Sequence, residues 1–415
     1  MPTNHAIAKD HLGDGLNRKW LVFAGIVVIE ITMFVGLLPW RNFDHIRTTD
    51  FINFYAAAQI MRDGHGSTLY SAATQAPVLF SILGRNTHDY FLHPPFFAAA
   101  IVPFSYLSIE HAFILWTLLN MLLVGAMPLL LSKCVVFVAR KPYFGLVGAI
   151  FFPVLTTLTL GQDSILLVFI LTMGYLLLSR DKNLFAGLVL SLATIKFQYV
   201  FVIVGLLLLK RKYRLFAGFI LGCVVLLGIS IFTIGVDGLM QYAGFVRDYN
   251  AHDGYGAIHL AQMINWRGFF AGMGWMSHLH LLAALGSLFS LSFGIATVSR
   301  STSTENLGTL VSFCVVIAII ISPYAYFQDA TLLLLPLYLA MDTVITGRVA
   351  GVMRGVTLGA CAAVFIWPLI LLAFGGHYWW NSRIYLMFPV ILCFAVVLAA
   401  NLRNQSVMPV RDSSI

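Results

Sequence analysis

The sequence predicts an all-α polytopic membrane protein with about 12 transmembrane helices, and three observations lead there. Of the 415 residues 60% are hydrophobic and 10% charged, and the mean hydropathy is +0.88, which leaves too little polar surface for a water-soluble globule. Apolar stretches near membrane length recur along the whole chain. Lysine and arginine concentrate in the short joins between alternate stretches, as the positive-inside bias requires.

Residues 1–19 are polar, carry Lys9, Arg18 and Lys19, and read as a cytoplasmic N-terminal segment. The first span, 20–40, has no small-residue cleavage site and is expected to be retained. A first outer loop, 41–95, carries the amphipathic stretch 51–61. Further spans are expected at 112–131, 144–158, 165–179, 184–195, 199–209, 215–235, 279–298, 307–323, 330–346, 355–374 and 384–401. A second large outer loop covers 236–278, and 402–415 is a cytoplasmic tail. Residues 20–401 make one membrane domain, because no interval is long enough for a separate soluble one.

This assignment puts Lys133, Arg140, Lys141, Arg180, Lys182, the KRKYR run at 210–214, Arg300, Arg348, Arg354 and Arg403 on the cytoplasmic side. It requires that 96–107 not cross. That segment is interrupted by Pro103 and gives only about 18 Å of helix against a core of roughly 30 Å, so it reads as re-entrant or interfacial. It also requires that the chain turn at Lys196. A single helix from 184 to 209 would bury Lys196 at mid-bilayer, whereas two short helices meeting there set it at the floor of an outward-facing cavity, where charge and irregular backbone are tolerated.

Net charge of +8 would suit a nucleic-acid partner, but topology accounts for the basic residues and no nucleic-acid role is assigned. The five cysteines are scattered singly in or beside apolar segments, which indicates neither disulfides nor a metal cluster. His252, Asp253 and His259 form no metal spacing. Trp379 and Trp380 suit an interfacial aromatic belt, and Glu30 reads as a protein-facing polar residue in the first span.

Acidic and polar residues collect on the outer side: Asp50 opening the run DFINFYAAAQIMRDGHGSTLY, His93 in YFLHPPF, the GQDS turn at 161–164, Lys196, and Asp329 closing SPYAYFQD. Each has a plain structural role beside a functional one. Asp50 and Asp329 are placed to cap helices, His93 to stand at a helix entrance, and Lys196 to pair with Asp163 or Asp329.

The order of these pieces resembles the bacterial polyprenyl-phosphate-mannose-type transferases of glycosyltransferase family 87, in the GT-C superfamily. The run at 50–70, HPPFFAAAIVPFSYL at 93–107, GQDS, AGLVLSLATIKFQYVF at 186–201 and SPYAYFQD match in order. His93 stands where the family usually has tyrosine, Ser191 and Gln198 replace an expected glycine and proline, and Asp163-Ser164 replaces a common asparagine pattern. The resemblance implies a GT-C-type fold and transfer of a sugar, mannose first, from a polyprenyl-phosphate-linked donor to a lipid or glycan acceptor outside the bacterial inner membrane. Asp50 would be the base in an inverting displacement. Lys196, His93, Arg47 and Arg267 are the candidates for the donor phosphate, and Tyr55, Gln162, Asp163, Tyr324 and Asp329 for the rest of the substrates. No cofactor and no metal is implied, and membrane lipids are the only other partner. Two other classes stay open: a transporter or flippase of lipid-linked glycans, and a GT-C-like protein that binds such a glycan without catalysis.

Overall fold

A computed structural model describes residues 20–32, 43–251, 259–301, 306–375 and 383–404. The segment 1–19, the end of the first span, His252, Asp253, the Trp379 and Trp380 pair and most of the tail lie outside the described residues. Regular structure among the described residues is helical, with one isolated antiparallel bridge between Met263 and Tyr326.

Helix α1 (Trp20–Thr32) precedes a group of short helices, α2 (Phe51–Arg62), α3 (Ala72–Leu83) and α4 (Pro95–Ile101), the last drawn out by a 3-10 turn to Tyr106. The Tyr55 hydroxyl donates to the Leu107 carbonyl at 2.7 Å, Arg62 bonds the Ser105 carbonyl, and the Tyr70 hydroxyl donates to the His93 carbonyl at 2.6 Å. Both ends of 93–107 therefore stay beside α2. Helix α5 (Ile109–Leu131) runs from there to the opposite end, started by Ser108, whose hydroxyl accepts from the His111 amide. After α6 (Val136–Arg140), helices α7 (Leu146–Ala149) and α8 (Phe152–Leu160) form a pair bent by 50°. The chain then reverses at Gly161 into α9 (Ser164–Leu178). Gly161 has φ 65°, and a Cβ there would meet the Phe51 Cβ at 2.7 Å, so only glycine fits.

By length alone, α10 (Asn183–Ser191), the 3-10 turn Leu192–Lys196 and α11 (Phe197–Leu208) suffice for one crossing. Packing makes them a hairpin. The backbone of α12 (Tyr213–Ala251) lies parallel to α10 and nearly touches it: a Cβ on Gly218 would meet the Leu184 carbonyl at 2.0 Å, and one on Gly222 the Ser191 hydroxyl at 2.1 Å. The start of α12 is thus level with the start of α10. The short link 209–212 reaches at most about 18 Å, whereas a straight 183–208 would end about 37 Å away. Helix α11 therefore returns toward the end where α10 began, packed against α15, and Lys196 sits at the apex with φ −125° and ψ 71°.

The rest of the chain is α13 (Trp266–Gly272), α14 (Leu279–Arg300), α15 (Leu307–Ile321), a 3-10 turn Phe327–Leu333 leading into α16 (Leu334–Ile345), α17 (Gly351–Gly375) and α18 (Met387–Asn404). Every residue of α15 from Gly308 to Ile320 is buried, so this helix is the axis of the bundle. Helices α12, α14 and α17 instead expose apolar side chains such as Phe232, Phe289 and Val352, as spans facing lipid do.

Among the described residues seven stretches are long and apolar enough to cross a membrane, or eight if α7 and α8 count as one. The expected twelve is not reached by this measure, for physical reasons. Helices α9 and α15 have 15 residues each and give about 22 Å because both end at the site rather than at the surface. The segments 184–195 and 199–209 are the two arms of the hairpin, and α1 is described only to Thr32.

The loops rich in lysine and arginine gather at one end, where Asp342 accepts from the Phe137 amide at 2.8 Å and pairs with Arg348 at 3.9 Å, and Lys210 bonds the Ser301 carbonyl. The opposite end brings together Asp50, His93, the 161–164 turn, Lys196 and the 322–329 segment.

Candidate active site

At that second end, interruptions between helices surround a cavity of about 410 Å³. The 3-10 conformation of Phe43–Thr48 delivers the chain to Asp50, whose amide bonds the Leu160 carbonyl at 3.0 Å and ties the start of α2 to the end of α8. Asp50 holds the N-cap position of α2 but its side chain makes no capping bond. Instead Oδ2 accepts from Gln162 Nε2 at 2.7 Å, and Oδ1 bonds no described residue. Burial raises the Asp50 carboxyl above the ordinary carboxylate range; the Gln162 hydrogen bond opposes this, nearby Asp89 adds to it, and Lys196 and His259 pull it back.

Beneath the cavity floor lies a charge cluster. Lys196 Nζ is 2.9 Å from Asp163 Oδ1, 2.6 Å from Asp329 Oδ1 and 3.0 Å from the Ser164 hydroxyl. Ser164 in turn donates to Asp329 Oδ1 at 2.7 Å, and Asp329 Oδ2 accepts from the Tyr326 amide at 3.0 Å, which caps the turn that follows. Asp163 Oδ2 meets His93 Nε2 at 3.0 Å. Burial would raise the Asp163 carboxyl, but Lys196 and His93 outweigh it and hold the group well below the usual range. The sequence left the pairing of Lys196 with Asp163 or Asp329 open, and the structure shows both at once.

Asp50, His93, Gln162, Lys196, Tyr324 and Asp329 all border the cavity, while Asp163 is fully buried behind His93 and Lys196. Three sequence candidates lie elsewhere. Tyr55 spends its hydroxyl on the Leu107 carbonyl and serves packing of the 93–107 segment. Arg47 is exposed and faces Glu110 of α5. Arg267 is buried against the Tyr324 ring at 5.4 Å, so it supports the wall without bordering the cavity.

The structure adds residues that the sequence did not single out for the site. Carboxamides of Asn53, Gln198, Gln262 and Gln328 join Gln162 around the cavity, with Tyr90, Phe91 and Tyr326 as aromatic faces and Asp89 and His259 at its border. Tyr326 and Gln328 were visible inside the SPYAYFQD segment and Asn53 inside the run at 50–70. Asp89, His259 and Gln262 sit in loops without a pattern. The 259–265 stretch is positioned by two bonds to the 322–325 segment: the Ile264 amide donates to the Ala325 carbonyl and the Asn265 side-chain Nδ2 to the Ser322 carbonyl, both at 2.8 Å. Amides and carboxylates with tyrosine and phenylalanine rings supply paired donors and acceptors and flat apolar faces, the equipment for a polyhydroxylated ligand.

No curated protein and no solved structure matches the chain. The profile of glycosyltransferase family 87 matches residues 91–323, more than half of the sequence, a stretch that includes His93, Gln162, Asp163 and Lys196. With an ionisable carboxylate turned to a cavity of this lining in a helical membrane protein, the chain belongs to glycosyltransferase family 87 and is a membrane glycosyltransferase.

Proposed function

We propose that the protein transfers mannose from a polyprenyl-phosphate-linked donor to a lipid or glycan acceptor at the outer face of a bacterial inner membrane, with Asp50 as the base. The observation that carries this reading is Asp50 itself: Gln162 holds one carboxylate oxygen and leaves Oδ1 turned to a cavity at the end away from the basic loops. The positive-inside bias then sets that end outside and both termini inside, with twelve crossings if each arm of the hairpin counts as one. A volume of about 410 Å³ lies within the range of small-ligand sites.

The acceptor hydroxyl attacks the anomeric carbon, its proton passes to Asp50 Oδ1, and the bond from that carbon to the phosphate oxygen breaks with its electron pair on the phosphate. A single displacement inverts the anomeric centre. A phosphate leaves with its charge already stabilised, so the site needs a base and fixed donors rather than a strong acid. Gln162, Tyr324 and Asp329 are the proposed contacts to the sugars. The test is transfer of radiolabelled mannose from polyprenyl-phosphate mannose by the purified protein in lipid nanodiscs, with the anomeric configuration of the product read by NMR. Failure to move sugar from any lipid-phosphate donor, with a folded protein, sinks the reading.

A further inference from the structure

The surroundings of His93 suit it to carry a charge. It precedes Pro94, which holds its backbone extended, and its carbonyl is fixed by the Tyr70 hydroxyl at 2.6 Å. The rings of Phe54, Phe97 and Phe91 surround the imidazole at 5.0, 5.2 and 5.5 Å. Nε2 faces Asp163 Oδ2 at 3.0 Å, and a carboxylate there only accepts, so Nε2 carries a hydrogen. Nδ1 makes no hydrogen bond to any described residue, and the side chain borders the cavity.

Lys196 is differently placed. An ammonium group has three protons to donate. Ser164 and Asp329 take two of them, and Asp163 Oδ1 stands 2.9 Å away as an ion-pair partner, so the ammonium is committed to buried protein groups.

We propose that His93, as an imidazolium held by Asp163, is the residue that receives the departing phosphate through Nδ1–H, and that Lys196 stands behind it as a positioning residue for Asp163. This rests on the lipid-phosphate donor of the preceding section. As the bond from the anomeric carbon to the phosphate oxygen breaks, the electron pair stays on the phosphate, the acceptor proton goes to Asp50, and His93 keeps its own proton while its hydrogen bond to the phosphate strengthens. The charged groups around His93 are Asp163, with Lys196 and Asp329 behind it, and Asp50, Asp89 and His259 around the same cavity.

The experiment measures binding of a polyprenyl phosphate and of the matching uncharged polyprenol to the full-length protein in nanodiscs. The wild type is expected to prefer the phosphate. H93Q keeps a polar side chain of similar reach without the charge; it should bind the phosphate about tenfold or more weakly, as loss of one charged hydrogen bond implies, and the polyprenol as before. D163N, which removes the carboxylate charge behind His93, should also weaken the preference for phosphate, and adding D163N to H93Q should weaken it no further, which a purely structural role of Asp163 would not produce. Equal affinity of the wild type for phosphate and polyprenol overturns the donor reading itself. A wild type that prefers the phosphate, with H93Q retaining that preference within twofold, overturns the role of His93 alone. If H93Q does not fold, H93N, also polar and uncharged, takes its place in the same comparison with the same two outcomes.

Discussion

Gln162 Nε2 donates to Asp50 Oδ2 at 2.7 Å across 112 positions of chain, joining the start of α2 to the turn between α8 and α9. The bond does two things at once. It fixes the carboxylate rotamer, and it leaves the second oxygen without a hydrogen bond to any described residue.

Replacing Asp50 by Asn keeps an oxygen for Gln162 and loses no capping bond, since Asp50 makes none with its side chain. Loss of a base costs typically about 10² to 10⁴ in rate. We expect Asp50→Asn to lose transfer activity by that factor with the melting temperature little changed. A well-folded variant with activity within a few-fold of wild type would remove Asp50 from the mechanism.

With Asp50 as the proposed base, its raised proton affinity is expected to set the acid side of the pH profile. Only the ionised form can accept the proton, so kcat/KM should rise with pH through a pKa above the ordinary Asp value of about 3.9. Asp89 contributes to the upward shift and His259 opposes it. Asp89→Asn is therefore expected to move the acid limb to lower pH, and His259→Gln to higher pH, in kcat/KM profiles; movement of either limb in the opposite direction contradicts the assignment. The stability sign is separate: a carboxyl raised on folding favours the protonated form, so its contribution weakens as pH climbs through the raised pKa.

Lys196→Met leaves Asp163 and Asp329 without their shared cation inside the protein. Removing one partner of a buried pair costs about 3 to 5 kcal/mol. A large fall in the midpoint of thermal unfolding is expected, with partial recovery in the double variant that also carries Asp329→Asn. An unchanged midpoint for Lys196→Met is the outcome this account does not survive.

Helix α12 breaks at Gly235, where φ 74° and ψ 173° lie in a region that only glycine occupies at ease. Beyond it, Tyr242 packs on Tyr70 at 4.6 Å, Phe245 packs on Tyr90 at 6.4 Å, and Val246 reaches the cavity wall. Gly235→Ala should cost about 1 to 3 kcal/mol and displace that arm. Weaker substrate affinity with the bundle intact, read as a raised KM beside unchanged helical circular dichroism, is the expected signature.

The hairpin fixes a topological result. Cysteines placed at Lys182 and Lys212 should label from the same side of intact spheroplast membranes, and one at Gly64 from the other. Labelling of Lys182 and Lys212 from opposite faces would show that the chain passes straight through at Lys196.

Hydropathy and charge made the membrane class legible, and the break at Lys196 was legible too, because a lysine between two apolar arms with basic flanks has few tolerable solutions. Span counting was less secure. Helices α9 and α15 stop short at a recessed site, and length rules assume helices that reach the surface. Asp50 and the partners of Lys196 could be read from residue type and side of the membrane. Tyr55 and Arg267 could not be separated from cavity residues, because which face a side chain presents depends on packing between distant segments: Tyr55 turns to Leu107, and Arg267 to Tyr324. Asp89 and His259 could not be tied to the site, since loop positions obey no period.

The charge cluster at the hairpin apex also imposes an order on biogenesis. Asp163 is already made when Lys196 leaves the ribosome, but Asp329 follows 133 residues later. At roughly 5 to 20 residues per second that is a wait of roughly 7 to 27 s. During it, the ammonium has only half of its counter-charge and two arms too short to cross alone. Translation of the C-terminal third therefore supplies the last member of a cluster whose other parts were synthesised first.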